Sequence, residues 1–242
     1  GGVTTVFDMP NTNPPTGTIE ALRMKQKAAE SSYVDYGIHG LLGDDTVGHL
    51  EELVDAGCTS FKAFVGNTFG NLPAPTDGAL LEGFEKLAPL GIRTVVHAEN
   101  SSILSRRQKR MQEAGRIDAL AHLAARPVVA EIEAIGRVLT LAEWTGARVH
   151  IAHHSAADSL FLIREAKRRG VDVTVETCPQ YLLLNTDHSD RLGGILRLNP
   201  PIREPRHNQP LWDALMDGTI DMIATDHAPH APEEKTRENI WE

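Results

Sequence analysis

Four polar residues stand at the C-terminal ends of short apolar runs and could share one chemical site. They are Lys62 in TSFKAFV, His97 in IRTVVHAEN, His153 in RVHIAHHS and Asp226 in DMIATDHAPH. Histidine and aspartate bind metal ions directly through ring nitrogens and carboxylate oxygens. A lysine in a buried strand is costly unless its charge is neutralised or its amine is converted. These residue types together predict a metal site.

The available donor atoms limit the metals that such a site would hold. Histidine nitrogens and carboxylate oxygens without cysteine suit Zn²⁺, and also Mn²⁺, Co²⁺ or Ni²⁺. Lys62 fits either as an amine converted to an anionic oxygen ligand or as the partner of a carboxylate. Two metal ions about 3.5–4 Å apart could hold a hydroxide and polarise a carbonyl group, with Asp226 as the proton shuttle. This is the chemistry of a metal-dependent hydrolase.

Strand-like and helical segments alternate along the sequence, which explains how distant residues could meet. Amphipathic helices, such as residues 128–143, separate seven apolar runs. The alternation is typical of an α/β fold with a parallel sheet. A closed barrel gathers the C-terminal ends of such strands into one pocket. The predicted strands are 3–9, 34–40, 59–65, 93–99, 148–154, 171–177 and 221–227.

A complete TIM (β/α)8 barrel needs eight strands. The sequence begins in strand-like residues at Gly1 and stops in ENIWE, shortly after the last predicted strand. We therefore expect an α/β barrel that lacks its first strand–helix unit and its last helix. On this interpretation residues 1–242 form a single partial domain. An open seven-stranded sheet is the alternative.

Strand alternation predicts which side chains face the pocket, because successive residues point to opposite faces. Lys62 shares a face with Ser60. His153 shares a face with Ile151, so His150 is expected to point outward towards the helices.

The loops after the strands give further expectations. The Gly-, Pro- and Asn-rich loop 66–78 is expected to wall the pocket. His154 is expected on a loop surface. Ser155 and Asp158 form an S-x-x-D pattern, which predicts a helix start.

Composition argues against several other classes of protein. A net charge of −9 gives no general basic footprint for nucleic acid, and the basic run 106–110 is expected to be a solvated helix face. Cys58 and Cys178 do not form a disulfide scaffold, which favours a cytoplasmic location. No stretch is apolar enough to predict a membrane span.

An ordered set of motifs resembles the cyclic amidohydrolases, the family of dihydroorotase, allantoinase and hydantoinase (dihydropyrimidinase). The matching strings are GGVTTVFDMPNTNPPT, FKAF, HAEN, HIAHHS, ETCPQYLLL, NPPIR and TDHAPH, and they extend across essentially the whole chain. The resemblance implies an amidohydrolase-type barrel in which a carboxylated Lys62 bridges two Zn²⁺ ions. It further implies that His97 and His153 bind one metal and that Asp226 binds the other and is catalytic.

The chain departs from the family pattern at both ends. The family carries a His-x-His pair and an arginine on its first barrel strand, and no such pair precedes Gly1. The last helix and the small β-sandwich that usually follows are also absent. We therefore expect a fragment that is inactive alone, from a parent enzyme that forms dimers or tetramers.

The motifs point to more than one cyclic substrate. Asn11, Asn199 and His230 resemble the ring- and carboxylate-binding residues of dihydroorotase, which makes dihydroorotase-like ring opening the first interpretation. HAEN and ETCPQYLLL look more like allantoinase and hydantoinase, and Gln180 stands where dihydroorotases usually have a histidine. Allantoinase is therefore the second interpretation, and hydantoinase (dihydropyrimidinase) the third.

Two other classes compete with a cyclic amidohydrolase. One is a non-catalytic scaffold on the same barrel, which would typically have lost its metal ligands. The other is a mononuclear deaminase-like hydrolase, against which Lys62 argues because such enzymes use no strand lysine.

Overall fold

The computed structural model describes residues 2–66 and 72–241, and these contain one sheet of seven parallel strands. The strands pair in sequence order, and at least one helix joins each consecutive pair. This is the winding of a (β/α) barrel, so the predicted barrel architecture with seven strands is confirmed. The strands are β1 (Thr5–Asp8), β2 (Asp35–Leu42), β3 (Ser60–Phe64), β4 (Arg93–His97), β5 (Arg148–Ile151), β6 (Val173–Thr177) and β7 (Met222–Ile223).

Helices surround the sheet within the same described ranges. They are α1 (Ile19–Ala29), α2 (Leu50–Asp55), α3 (Asp77–Leu87), α4 (Ser101–Glu113), α5 (Ala119–Ala125), α6 (Val128–Thr145), α7 (Leu160–Arg168), α8 (Pro179–Leu183), α9 (Ser189–Leu192), α10 (Asn208–Met216) and α11 (Pro232–Lys235). No helix in residues 2–66 or 72–241 is long and apolar enough to cross a membrane. The basic run 106–110 lies on α4 and is exposed as predicted, apart from the half-buried Arg107.

The register of the sheet places polar side chains on its inner face. Lys62 on β3 lies beside Val95 on β4, and Val95 lies beside His150 on β5. Paired residues of parallel strands point to the same side, so His150 faces the same way as Lys62. The ring of His150 lies 2.8 Å from Thr174 Oγ1 and 3.1 Å from Glu176 Oε2. The expectation that His150 points outward is therefore wrong.

The opposite face of the same strands carries the hydrophobic core. Phe61, Val96 and Ile151 are buried there. They cluster with Phe84 of α3 and Ile135 of α6. Full burial of one such side chain contributes roughly 1.5–3 kcal/mol. This packing fixes the apolar face outward, so the polar positions of the strands line the inside.

Helix α6 confirms the predicted helix at 128–143 and extends it slightly. It begins directly after Pro127, whose fixed φ suits a helix start. It ends at Gly146, which adopts a left-handed φ of 71° that favours glycine.

Candidate metal centre

The four predicted residues occupy the C-terminal ends of four strands, on the edge where a barrel gathers its site. Lys62 lies within β3 and His97 is the last residue of β4. His153 follows the end of β5 by two residues, and Asp226 follows the end of β7 by three.

His97 and His153 form the closest pair of donors. Nδ1 of His97 lies 3.1 Å from Nε2 of His153, and the ring centroids are 4.8 Å apart. Two nitrogens bound to one Zn²⁺ at about 2.0–2.1 Å in tetrahedral geometry lie roughly 3.3 Å apart. Burial lowers the pKa of both rings, which favours the neutral imidazole that binds metal. The pair is thus arranged as two ligands of one ion.

Backbone strain marks two of the four positions. His153 has a φ of 39° and Asp226 a φ of 47°, in the left-handed region that residues with a Cβ rarely adopt. Such conformations cost about 1–3 kcal/mol and cluster at functional sites. Ile151 faces the helices, so regular alternation would turn His153 that way as well. With the left-handed backbone, the ring of His153 instead faces His97. The backbone N–H of His153 donates to Glu176 Oε1 at 3.2 Å.

Lys62 is enclosed beside these rings and is only 2% exposed. Burial lowers its pKa to about 8, although the carboxylates of Asp226 and Glu176 oppose the shift. Its Nζ lies 5.5 Å from the centre of the Phe64 ring. Lys62 pairs with Val95, two residues before His97 on β4, so the side chains of Lys62 and His97 point to the same side of the sheet.

Asp226 lies at the open side of this group. The residue is exposed, yet its carboxyl is partly desolvated, which raises its pKa. Lys62 opposes this rise and Glu176 adds to it. A carboxyl with a raised pKa is suited to exchange protons closer to neutral pH.

Without modification of Lys62, the side chains present supply only some of the ligands that a metal ion needs. Within residues 2–66 and 72–241, no three His, Cys, Asp or Glu side chains converge as a ready ligand cluster. The two histidines converge, and Nδ1 of His153 is buried with no hydrogen-bond partner among the described residues. A further oxygen donor would have to come from Lys62 after carboxylation, with Asp226 completing the set.

The predicted substrate residues lie in the loops that follow β1, β6 and β7. Asn11 is exposed after β1. Asn199 is half-buried, and its Oδ1 has no hydrogen-bond partner in the part of the chain that the structure describes. His230 is exposed, and its Nδ1 lies 3.0 Å from Glu234 Oε2. Residues 67–71 of the predicted pocket wall lie outside the described residues.

Two expectations about the loop after β5 are wrong. His154 is fully buried rather than on a surface, with Nδ1 3.2 Å from Glu131 Oε1. The S-x-x-D pattern does not cap a helix, because α7 begins only after a 3₁₀ turn at Ala157–Ser159. The Ser155 hydroxyl instead donates to Glu131 Oε2 at 2.5 Å.

Sequence reasoning missed the acidic partners of the histidines. Glu99 Oε2 lies 3.0 Å from Nε2 of His97, and Glu176 contacts both His150 and the backbone of His153. Carboxylates of this kind orient metal-binding imidazoles. The His-x-Glu spacing of His97 and Glu99 was the available signal.

Several curated proteins align with the whole length of the chain. An allantoinase from Rubrobacter xylanophilus is 38% identical over 244 residues, which cover 100% of this chain and 54% of the relative. An L-hydantoinase from Paenarthrobacter aurescens is 37% identical over 100% of this chain and 54% of its own length. The chain therefore spans about half the length of the curated relatives it matches. No family model matches the chain.

Solved structures agree with this relationship. The L-hydantoinase (dihydropyrimidinase) from Arthrobacter aurescens has a TM-score of 0.94 at 37% identity, covering 100% of this chain and 54% of that one. A D-hydantoinase from Thermus sp. has a TM-score of 0.89 at 31% identity, covering 97% and 52%. The chain is thus a partial (β/α) barrel with polar residues at its strand ends. It belongs to the cyclic amidohydrolase family, as its motifs predicted.

Proposed function

We propose that the protein opens a cyclic amide by metal-dependent hydrolysis. The observation that carries the proposal is the buried His97–His153 pair, whose facing nitrogens lie 3.1 Å apart beside Lys62. The names of the relatives, allantoinase and L-hydantoinase, support the same reaction class.

His97 Nδ1 and His153 Nε2 would hold one divalent ion, and Asp226 would bind a second. Lys62, carboxylated on Nζ, would supply oxygen atoms to both. Zn²⁺ suits these donors, with Mn²⁺, Co²⁺ or Ni²⁺ as alternatives. When bound, the metal ions would activate water and polarise the carbonyl group of the substrate.

The residues of the chain then account for the proton transfer. Water adds its oxygen to the ring carbonyl carbon, and the carboxylate of Asp226 accepts a proton from it. The ring C–N bond breaks, and Asp226 returns the proton to the leaving nitrogen. The raised pKa of Asp226 is consistent with both transfers. The product is an open chain that carries a new carboxylate.

A five-membered cyclic ureide is the substrate class that the observations favour. Glu234 lies 3.0 Å from His230, the residue expected to meet a substrate carboxylate. A carboxylate at that position disfavours an anionic ring such as dihydroorotate and favours a neutral one. Allantoin and 5-substituted hydantoins are neutral rings of this kind. Dihydroorotate is the second candidate, supported by the positions of Asn11 and Asn199.

The decisive experiment uses the complete gene product that carries these 242 residues. The protein is loaded with Zn²⁺ or Mn²⁺ and assayed against allantoin, 5-substituted hydantoins and dihydroorotate. We expect turnover of at least one cyclic ureide, two metal ions per chain, and loss of both bridging and turnover in Lys62→Ala. Near-normal turnover of Lys62→Ala would refute the two-metal arrangement. A protein that binds no metal and opens none of these rings would instead be a scaffold.

Cytoplasmic location and assembly into dimers or tetramers are parts of this proposal. Cys58 and Cys178 are both free thiols, as a reducing compartment favours.

Assembly would need an exposed apolar surface, and two large apolar side chains on neighbouring helices provide part of one. Trp144 is 80% exposed on α6, and Phe161 is 61% exposed on α7. Light scattering coupled to size-exclusion chromatography would measure the assembly.

A further inference from the structure

A buried set of charged residues begins at the ring of His97. Glu99 Oε2 lies 3.0 Å from Nε2 of His97, on the side of the ring away from His153. The guanidinium of Arg126 donates to the same oxygen from Nη2 at 2.6 Å and from Nε at 3.1 Å. Arg126 therefore fixes the carboxylate, and the carboxylate fixes the orientation of the imidazole.

A second carboxylate holds the loop that follows His153. Glu131 Oε1 accepts the backbone N–H groups of Ser155 at 2.9 Å and Ala156 at 3.1 Å. Glu131 Oε2 accepts the Ser155 hydroxyl at 2.5 Å and Arg203 Nη2 at 2.8 Å. The chain just beyond the strained His153 is thus anchored to α6.

Arg203 connects the two halves of this set. Its Nη1 donates to the backbone carbonyl oxygen of Arg126 at 2.6 Å, and its Nε donates to Ser155 Oγ at 3.0 Å. We call the four charged residues the ionic brace; they are Glu99, Arg126, Glu131 and Arg203. The brace joins the loop after β4 to the loop after β5; His97 directly precedes the first of these loops, and His153 lies in the second.

The brace is costly to build, which argues for a role beyond stability. All four charged side chains are at most 8% exposed. Pairs of buried charges often contribute no more stability than apolar side chains of the same volume. Here they fix the positions of the groups that they contact, because each guanidinium donates in fixed directions to two or more acceptors.

We propose that the ionic brace sets the spacing of His97 and His153 and thereby the affinity of the site for the metal ion that these two histidines would hold. Arg203 and Glu131 are positioning residues in this proposal, since they contact neither ring nitrogen of the pair. The inference rests on the proposed function, because it assumes that the two histidines bind one metal.

The test compares variants of the complete gene product in their affinity for Zn²⁺, measured by competition with a chromophoric chelator. Arg203→Met removes the link between the two loops and should weaken Zn²⁺ binding about 10- to 100-fold, as loss of supporting contacts does in other metal sites. Val138→Ala is the matched control, because Val138 is fully buried on the same helix as Glu131. It should lower the melting temperature and leave Zn²⁺ affinity unchanged.

A milder variant guards against simple unfolding. Ser155→Ala removes one hydroxyl that contacts both Glu131 and Arg203 and keeps the backbone N–H of residue 155. The loss of these contacts should weaken Zn²⁺ binding about fivefold. The visible absorption spectrum of the Co²⁺-loaded protein should change in Ser155→Ala and stay the same in Val138→Ala.

The outcomes separate this inference from the proposed function. If wild-type protein binds Zn²⁺ and the Ser155→Ala and Arg203→Met variants match Val138→Ala in affinity and Co²⁺ spectrum, the brace is merely structural. If wild-type protein binds no Zn²⁺ at all, the proposed function fails and the inference fails with it. Weaker binding in Ser155→Ala supports the brace even where Arg203→Met does not fold.

Discussion

Replacing Glu99 with glutamine would remove one negative charge from the buried face of the site while keeping the volume of the side chain. Glu99 is fully buried between His97 and Arg126. The variant leaves the guanidinium of Arg126, which is 8% exposed, without its carboxylate partner. Breaking a buried ion pair by removing one partner is strongly destabilising.

The size of the effect follows from the pKa of Glu99. Burial by itself would raise this pKa, but the charge of Arg126 and the hydrogen bond to His97 outweigh burial and lower it from 4.5 to about 2. Such a change corresponds to about 3 kcal/mol of unfolding free energy at neutral pH. Removal of one partner from a buried ion pair costs about 3–5 kcal/mol, which agrees.

The sign of the pH dependence makes the prediction specific. Because the pKa of Glu99 is lower in the folded protein, its contribution is present above pH 4.5 and is lost as the pH falls towards 2. Urea unfolding of wild type and Glu99→Gln should therefore differ most at pH 7 and converge in acid. Glu113→Gln, on the exposed surface of α4, is the control and should follow wild type throughout. Parallel curves for wild type and Glu99→Gln from pH 7 to 2 would refute the reasoning.

Four further predictions concern the backbone and the metal. Asp226→Gly should be more stable than Asp226→Ala by about 1 kcal/mol in urea unfolding, because only glycine adopts the observed φ of 47° without strain. A Cβ on Gly66 would lie 2.5 Å from the carbonyl oxygen of Glu99, so Gly66→Ala should destabilise the protein. A Cβ on Gly136, inside α6, would lie 3.7 Å from Leu162 Cδ1, which is ordinary van der Waals contact. Gly136→Ala should therefore stabilise the protein by about 0.5–1 kcal/mol. Removal of bound Zn²⁺ by a chelator should lower the melting temperature, by an amount equivalent to about 2.7 kcal/mol at a metal concentration of 100 Kd. Calorimetry that shows no such decrease would contradict metal binding to the folded state.

Periodicity and motif order were sufficient for the fold and for the position of two candidate site residues. The apolar runs predicted all seven strands. The central strands β3, β4 and β5 are largely buried under helices, which requires apolar residues, whereas β1 and β7 are exposed. Lys62 and His97 were placed on the inner edge correctly, since both lie inside regular strands that pair with each other. The motif strings identified the family, which the relatives confirm.

The same reasoning failed where the backbone leaves the strand conformation. His150 was predicted outside and His153 on the face of Ile151, because alternation was extended past the end of β5. The left-handed conformation at His153 reverses the pattern, and no local sequence rule signals it. Likewise, His154 looked like a loop residue but is buried against Glu131, more than twenty residues earlier in the chain.

The sequence by itself determined the order of strands and helices and the chemical types that reach the strand ends, because those depend on local periodicity. Only the tertiary structure decided how the donors are held. The pairing of Arg203 with Glu131 spans 72 residues, and that of Arg126 with Glu99 spans 27. Such pairs form because the fold excludes water around them, and a buried charge must then find whichever opposite charge the packing brings near.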